Sequence, residues 1–281
     1  MIRLDTYFQR IGYAGPRAAT LEVLQDLCAL HCDRIAYENI DPLLGTGPTL
    51  ALAALQTKLI EQGRGGYCYE HNLLLKDVLL QLGMQVTALA ARVVWMQPPA
   101  APPRARSHML LKVEVADQDG AYIADVGFGG HRVNLPLRFT PDLPQRSSDG
   151  QLRITNEGDE YTVESLLPAG WAPMYRFTLQ PQLDIDYEPL NWFTGTHPGS
   201  IFCHNLLMER LTPQLRTGLF NDRLIRRRPG EPPQVRRIAS QADFEAVLIE
   251  QFELHLPQAV LGRLYERVPK GLDQFVVPAA T

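Results

Sequence analysis

One cysteine in this chain stands where a thiol becomes reactive. Cys68 follows a glycine pair, in Arg-Gly-Gly-Tyr-Cys-Tyr-Glu-His-Asn over 64–72, and it opens an apolar run from Leu73 through Leu82. A thiol in the first turn of a helix faces unpaired N–H groups and the positive end of the helix dipole, and both favour the thiolate. Thiolate is the nucleophilic form, which makes Cys68 the first candidate for covalent catalysis. Such a thiol needs a base, and histidine is the side chain whose pKa lies nearest working pH. His108 stands forty residues on, and Asp125 seventeen beyond that. In this order Asp125 would hold the second ring nitrogen of His108 and stabilise the imidazolium. Gly65 and Gly66 let backbone approach a ligand, and the Cys68 amide is the candidate donor to a developing oxyanion. Taken singly, each residue also has an ordinary reading: inert core for the cysteine, a solvated strand edge for the histidine, turn chemistry for the aspartate.

The elements that must bring these residues together change in texture along the chain. Thr20 can cap a helix with the apolar stripe Leu21, Leu24, Leu27, Cys28 and Leu30. Thr49 can cap a second helix that stops at Gly63, and the helix carrying Cys68 stops at Gly83. From about residue 84, short β-branched runs take over at 86–96, 108–115 and 121–128, then at 151–155, 160–166 and 174–181. Strands at this spacing suggest a small barrel or sandwich. The final third is mixed: a segment at 191–202 leading into 206–212, an arginine-rich hairpin at 219–239, and a helix opened by Ser240 with Asp243 three residues on. These changes predict three parts, 1–83, 84–190 and 191–281.

The turn sequence Asp117-Gln-Asp-Gly120 joins the strands before His108 and Asp125 in an awkward way. A regular hairpin there pairs 116 with 121 and sets Asp125 opposite Lys112, about 13 Å of strand from His108. A bulge, or a loop curling back before Met109, is needed for the contact.

Other groupings carry less. Cys28, His31 and Cys32 share a helical turn but lack a second ligand pair at zinc spacing, so core packing is expected over a metal site. Gly127-Phe128-Gly129-Gly130 fails the dinucleotide fingerprint, because Arg132 stands where the last glycine should be. It is either a loop by which the chain leaves the sheet or a backbone wall beside an acyl or phosphate-bearing ligand. Arginines 223, 226, 227, 228, 236 and 237 read as a solvated strand edge or as a phosphate site. Glu38 and Arg64 are expected to form an ion pair that buttresses the cysteine loop. The proline-dense Gln97–Pro103 reads as a stiff loop leading into His108.

Bulk properties exclude some classes. The chain has 281 residues, 45% hydrophobic and 21% charged, with a net charge of −4, which suits a globular protein and gives no reason to expect nucleic acid as a partner. Four cysteines are too few for a disulfide scaffold. No apolar stretch approaches the ~20 residues that span a bilayer, and MIRLDTYFQRIGYAG lacks the apolar core of a signal peptide, so a cytoplasmic protein is expected.

Several segments, in order, resemble the arylamine N-acetyltransferases. YFQRIGYAG is similar to that family's opening segment, and HCDRIAYENIDPLLG to its segment ending in Phe-Glu-Asn-Leu. RGGYCYEHN resembles its nucleophile motif, SHMLLKV and YIADVGFGG the segments carrying its histidine and aspartate, and NWFTGTHPGSIF a later interdomain segment. The likeness runs from residue 2 to about 205 and is weaker beyond. It implies an α+β fold of helical bundle, β-barrel and α/β lid, with Cys68, His108 and Asp125 as a cysteine-protease-like triad. It further implies ping-pong acetyl transfer from acetyl-CoA, through acetyl-Cys68, to an aromatic amine or hydrazine, with no metal or tightly bound cofactor, by a monomer or homodimer. Trp95, Phe128, Gly129 and Phe202 match positions lining the acceptor or CoA cleft, and Tyr37 and Ser107 are expected beside them. Tyr37 and Tyr69 stand where phenylalanine is usual in the family, and Ser107 where threonine is common; the Tyr37 hydroxyl bears on acceptor preference. Three rivals share the residue order or the fold: an amide synthase closing a macrolactam, a Cys-His-Asp hydrolase or transglutaminase-like enzyme, and a catalytically silent binding protein.

Overall fold

Thr20 caps the first long helix in the computed structural model, which describes residues 1–98, 101–131, 133–147, 150–274 and 276: its hydroxyl accepts the Val23 N–H at 3.4 Å. Arg132, and Pro99 and Ala100 of the proline-dense loop, lie outside the described residues. The helical part comprises α1 (Leu4–Ile11), α2 (Leu21–Arg34), a two-residue strand β1 (Tyr37–Glu38), short helices α3 (Ile40–Leu43) and α4 (Leu52–Leu55), and α5 (Cys68–Gln81). Thr49 does not cap. The Pro48 carbonyl accepts Asn191 Nδ2 at 2.7 Å and Leu50 is buried, so the chain stays extended until Leu52. Beyond α4 the coil widens into a π-helical turn over Gln56–Glu61. Every residue of α5 from Cys68 to Leu75 is buried, the polar Glu70, His71 and Asn72 included, so the helix start lies wholly inside the molecule.

Strands β2 (Gln85–Val93), β3 (His108–Glu114), β4 (Tyr122–Ala124), β5 (Leu137–Arg138), β6 (Gln145–Ser147), β7 (Gly150–Glu157), β8 (Glu160–Leu167) and β9 (Gly170–Phe177) form one antiparallel sheet in the order β5-β4-β3-β2-β9-β8-β7-β6. The Gln145 side chain joins the two ends: its Oε1 accepts the Arg138 N–H at 2.7 Å and its Nε2 donates to the Arg138 carbonyl at 2.9 Å. The sheet is thereby a nearly closed barrel, which leaves little edge exposed. Of barrel and sandwich, the barrel is the outcome.

After α6 (Tyr187–Thr196) a second sheet follows, β10 (Leu207–Leu211), β11 (Arg216–Phe220), β12 (Arg223–Arg227) and β13 (Gln234–Arg237), with β1 added at its edge in the order β1-β10-β11-β12-β13. Helices α7 (Gln241–Phe252) and α8 (Gln258–Arg267) cover one face, where Met208, Leu219 and Leu224 meet Phe244, Leu248 and Leu264. Ser240 opens α7 as expected, its hydroxyl accepting the Asp243 N–H at 3.2 Å. No helix among the described residues is long and apolar enough to cross a membrane.

The register between β3 and β4 departs from the regular hairpin. Leu111 pairs with Ala124, Lys112 with Ile123 and Val113 with Tyr122, so Asp125 falls two residues nearer His108 than a tight turn allows. The cause is α2. Its approach takes the turn's polar groups, Ala116 donating to the Ala19 carbonyl at 2.7 Å and Asp117 Oδ1 accepting the Leu21 N–H at 2.9 Å, which pulls the connection into a wider loop.

Candidate active site

Cys68 is the first residue of α5, held there by its neighbours. Glu70 Oε2 accepts the Tyr67 N–H at 3.0 Å, closing the helix start. Glycines admit three close approaches around this point. A Cβ at Gly65 would stand 2.0 Å from the Ala36 carbonyl oxygen, one at Gly127 2.7 Å from the Cys68 Cα, and one at Gly129 2.4 Å from the Tyr37 ring. The glycine strip therefore packs onto the nucleophile helix and onto β1 as a backbone wall.

His108 begins β3 and is buried, with Nε2 2.6 Å from Asp125 Oδ2. That contact leaves Nδ1 free of Asp125, and Cys68 is near enough to act on the ring electrostatically. The sulfur lies 3.7 Å from the Ser107 carbonyl oxygen. Burial pulls the His108 pKa down, but the charge and hydrogen bond of Asp125, with those of Cys68 added, outweigh it and push the group up to about 10. Burial likewise pushes the Asp125 carboxyl up, and the His108 charge, with hydrogen bonds from His108, Asn72 and Gly127, brings it below the usual carboxylate range. The two shifts run in opposite directions, and both favour an imidazolium facing a carboxylate.

Two supports for Asp125 escaped the sequence reading. Asn72 Nδ2 donates to Asp125 Oδ1 at 3.1 Å and to the Met109 carbonyl at 2.7 Å, while its Oδ1 accepts the Val126 N–H at 3.2 Å. It lies four residues past Cys68, on the same face of α5, and that spacing is a signal the sequence did carry. Tyr175 packs against His108 with ring centroids 5.0 Å apart, and burial followed by the charge and hydrogen bond of Asp125 pushes its phenol pKa well up. Nothing near it in sequence marks it out.

Of the expected cleft residues, Phe128 touches the His108 ring and Ser107 the Cys68 sulfur. Phe128 meets His108 edge-on at 5.2 Å. Tyr37 and Gly129 touch, and beyond Tyr37 and Gly130 opens a cavity of about 150 Å³ lined also by Glu209, Arg216, Gly218 and Arg227. Phe202 meets Tyr67 edge-on at 6.0 Å. Trp95 stacks on His131 at 4.8 Å, next to Gly130.

Behind α5 lies the predicted pair, Arg64 Nη2 at 2.7 Å from Glu38, inside a larger assembly. Arg64 also reaches Asp41 at 2.9 Å, and Lys58 binds Asp41 at 2.6 Å and Glu70 at 2.7 Å. Cys28 and Cys32 pack into the hydrophobic core, and His31 bonds to Tyr7 and His71. The late arginines divide: Arg223, Arg236 and Arg237 are ion-paired with Asp273, Asp243 and Asp222, whereas Arg227 lines the cavity.

A barrel, a helical part and a lid sheet meeting at a cysteine beside a histidine–aspartate pair define a class of acyl-transferring enzymes, and comparison with known proteins narrows it. The N-acetyltransferase family model matches residues 20–261. The arylamine N-acetyltransferase of Mycolicibacterium smegmatis is 37% identical over 271 residues, covering 96% of this chain and 98% of the relative. The Escherichia coli arylamine N-acetyltransferase is 37% identical over 260 residues, 92% of this chain and 91% of that one. Among solved structures, Mycobacterium marinum arylamine N-acetyltransferase in complex with CoA superposes with a TM-score of 0.90 at 35% identity, covering 95% of this chain and 98% of that one. The chain belongs to the arylamine N-acetyltransferase family, and it is an acetyltransferase.

Proposed function

We propose that Cys68 carries the acetyl group in a two-step transfer from acetyl-CoA to an aromatic amine or hydrazine. The Cys68 thiolate attacks the thioester carbonyl, the carbon–sulfur bond to CoA breaks, and His108 gives its proton to the departing CoA sulfur. The amine nitrogen then attacks acetyl-Cys68; His108 takes the amine proton as the bond to Cys68 breaks and the thiolate returns. A covalent intermediate splits one difficult transfer into two easier ones. The Cys68 amide, at the first residue of α5, is the donor to the oxyanion in both steps.

The observation that carries this reading is the 2.6 Å contact between His108 and Asp125 beside the Cys68 helix start, which keeps an imidazolium next to the sulfur. A relative solved with CoA supports the donor. The acceptor follows from chemistry. Arylamines have weak conjugate acids and stay unprotonated at neutral pH, and the rings of Phe128, Tyr37 and Phe202 offer faces and edges for an aromatic partner. Trp95, Ser107 and Gly129 complete the walls on the barrel side.

Intact-protein mass after incubation with acetyl-CoA and no amine tests the scheme. One acetyl group is expected on wild-type protein and none on Cys68→Ala. An unmodified wild-type chain that still releases CoA to an amine refutes the two-step route.

A further inference from the structure

Cys68, His71 and Asn72 share one face of α5, three and four residues apart. Cys68 and Asn72 turn to the site described above. His71 turns to a separate set of partners, all out of solvent. Its Nε2 lies 3.2 Å from the Ala36 carbonyl oxygen and its Nδ1 2.7 Å from His31 Nε2, while His31 Nδ1 lies 3.0 Å from the Tyr7 hydroxyl. A carbonyl oxygen only accepts, so His71 Nε2 carries a proton. Complete burial favours neutral rings. His71 Nδ1 then accepts, His31 Nε2 donates to it, and the Tyr7 hydroxyl donates to His31 Nδ1. One backbone carbonyl sets the proton on two rings and a phenol.

That carbonyl belongs to the residue before Tyr37. The Tyr37 ring lies parallel to the His71 imidazole, at 7° with centroids 6.3 Å apart, and Gly129 presses on the same ring. The Tyr37 backbone pairs with Glu209 of β10 and bridges to Gly66, two residues before Cys68. Tyr37 thus joins the cysteine loop, the glycine strip and the lid sheet, and it lines the cavity of about 150 Å³. Tyr37 is the wall that the helical part gives to this cavity, opposite Gly130 of the glycine strip and Glu209 of the second sheet.

We infer that His71, backed by His31 and Tyr7, is a positioning residue for substrate fit: it holds the Ala36–Tyr37 step by hydrogen bond and ring contact, and so fixes the Tyr37 wall of the cavity without touching the acetyl-transfer chemistry. The inference rests on Cys68 as the acetyl carrier. A histidine that merely stabilised the fold would lower stability without separating KM from kcat.

Two measurements test it. In wild-type protein labelled with ¹⁵N-histidine, nitrogen shifts should show His31 and His71 neutral and protonated at Nε2 at neutral pH; a cationic ring or an Nδ1–H form at either residue overturns the proton order. In His71→Phe, which keeps a ring but loses the donor, KM for acetyl-CoA or for the arylamine should rise about tenfold, the worth of one buried hydrogen bond. In the same variant kcat should stay within about twofold of wild type, since ground-state fit alone is lost. His71→Gln keeps an amide donor towards Ala36 and should recover most of the lost affinity. Unchanged KM in His71→Phe, or equal losses of kcat in both variants, overturns the positioning role. A wild-type chain that takes no acetyl group from acetyl-CoA would instead refute the reading of Cys68, so the two failures are distinct.

Discussion

His108 with Asp125 on the barrel side of Cys68, and Lys58, Arg64, Glu38, Asp41 and Glu70 on the helical side, are both buried ionic assemblies, yet they hold their charge differently. The barrel pair contains a group that can give up a proton: His108, raised to about 10, keeps its charge at working pH and still belongs to the side chain best suited to proton transfer. The helical cluster is built on charges that stay. Burial pulls Lys58 and Arg64 down, but the carboxylates push both above their ordinary values: Glu70, Glu38 and Asp41 for Lys58, Glu38 and Asp41 for Arg64. Glu70 in this cluster is itself raised, chiefly by burial, with Lys58 opposing. One assembly can move a proton and the other pins Gly66, Tyr67 and β1 around the thiol. Buried ion pairs are weak evidence of stability in themselves, but removing one partner leaves a stranded charge.

The sharpest separation of the two is Asp125→Asn, which should lower kcat/KM by about 10²–10⁴-fold with the chain still folded, as the His108 proton loses its partner. Steady-state kinetics on folded protein measures it; a loss under tenfold would mean His108 needs no carboxylate. Arg64→Ala should instead cost about 3–5 kcal/mol in urea unfolding, since it strands the buried Glu38 while Asp41 keeps Lys58, and the molecules that remain folded keep turnover within about tenfold. Equal loss of turnover in the two variants would erase the distinction.

Stability against pH sharpens the contrast further. The folded pKa of His108 is raised, so its contribution is complete below its unfolded value near 6.5 and is lost as pH rises through about 10. Asp125 is lowered, so its contribution is present above its unfolded value near 4 and is lost as pH falls below that. The melting temperature of wild type relative to Asp125→Asn should therefore be highest between about pH 4 and 6.5 and shrink steadily towards pH 10. The margin over Arg64→Ala should stay nearly flat from pH 6.5 to 10, because Lys58 and Arg64 keep their protons throughout. The smallest effect is the control: Arg236 pairs with Asp243 at 2.8 Å, half exposed, and Arg236→Ala should cost only about 0–1 kcal/mol. A larger cost there would mean that pairing, and not burial, gives the helical cluster its weight.

Much of this molecule is local. The thiol at a helix start, the glycine pair before it, the caps at Thr20 and Ser240 and the run of short strands all follow from residues within a few positions of one another, where propensity and capping act. The ordered motifs, through their resemblance to a family, pointed to the partners of Cys68. What the sequence left open depended on contacts between distant segments. Asp125 reaches His108 because the start of α2 takes the hairpin's polar groups and shifts its register, an effect of Ala19 and Leu21 on residues nearly a hundred positions away. Tyr175 joins Asp125 because β9 pairs with β2 across the barrel, and the Lys58 and Arg64 side chains meet on Asp41. Side-chain type and spacing name the groups that can react; loop tethering, strand order and burial decide which of them meet, because those energies belong to the assembled core and to no single stretch of chain.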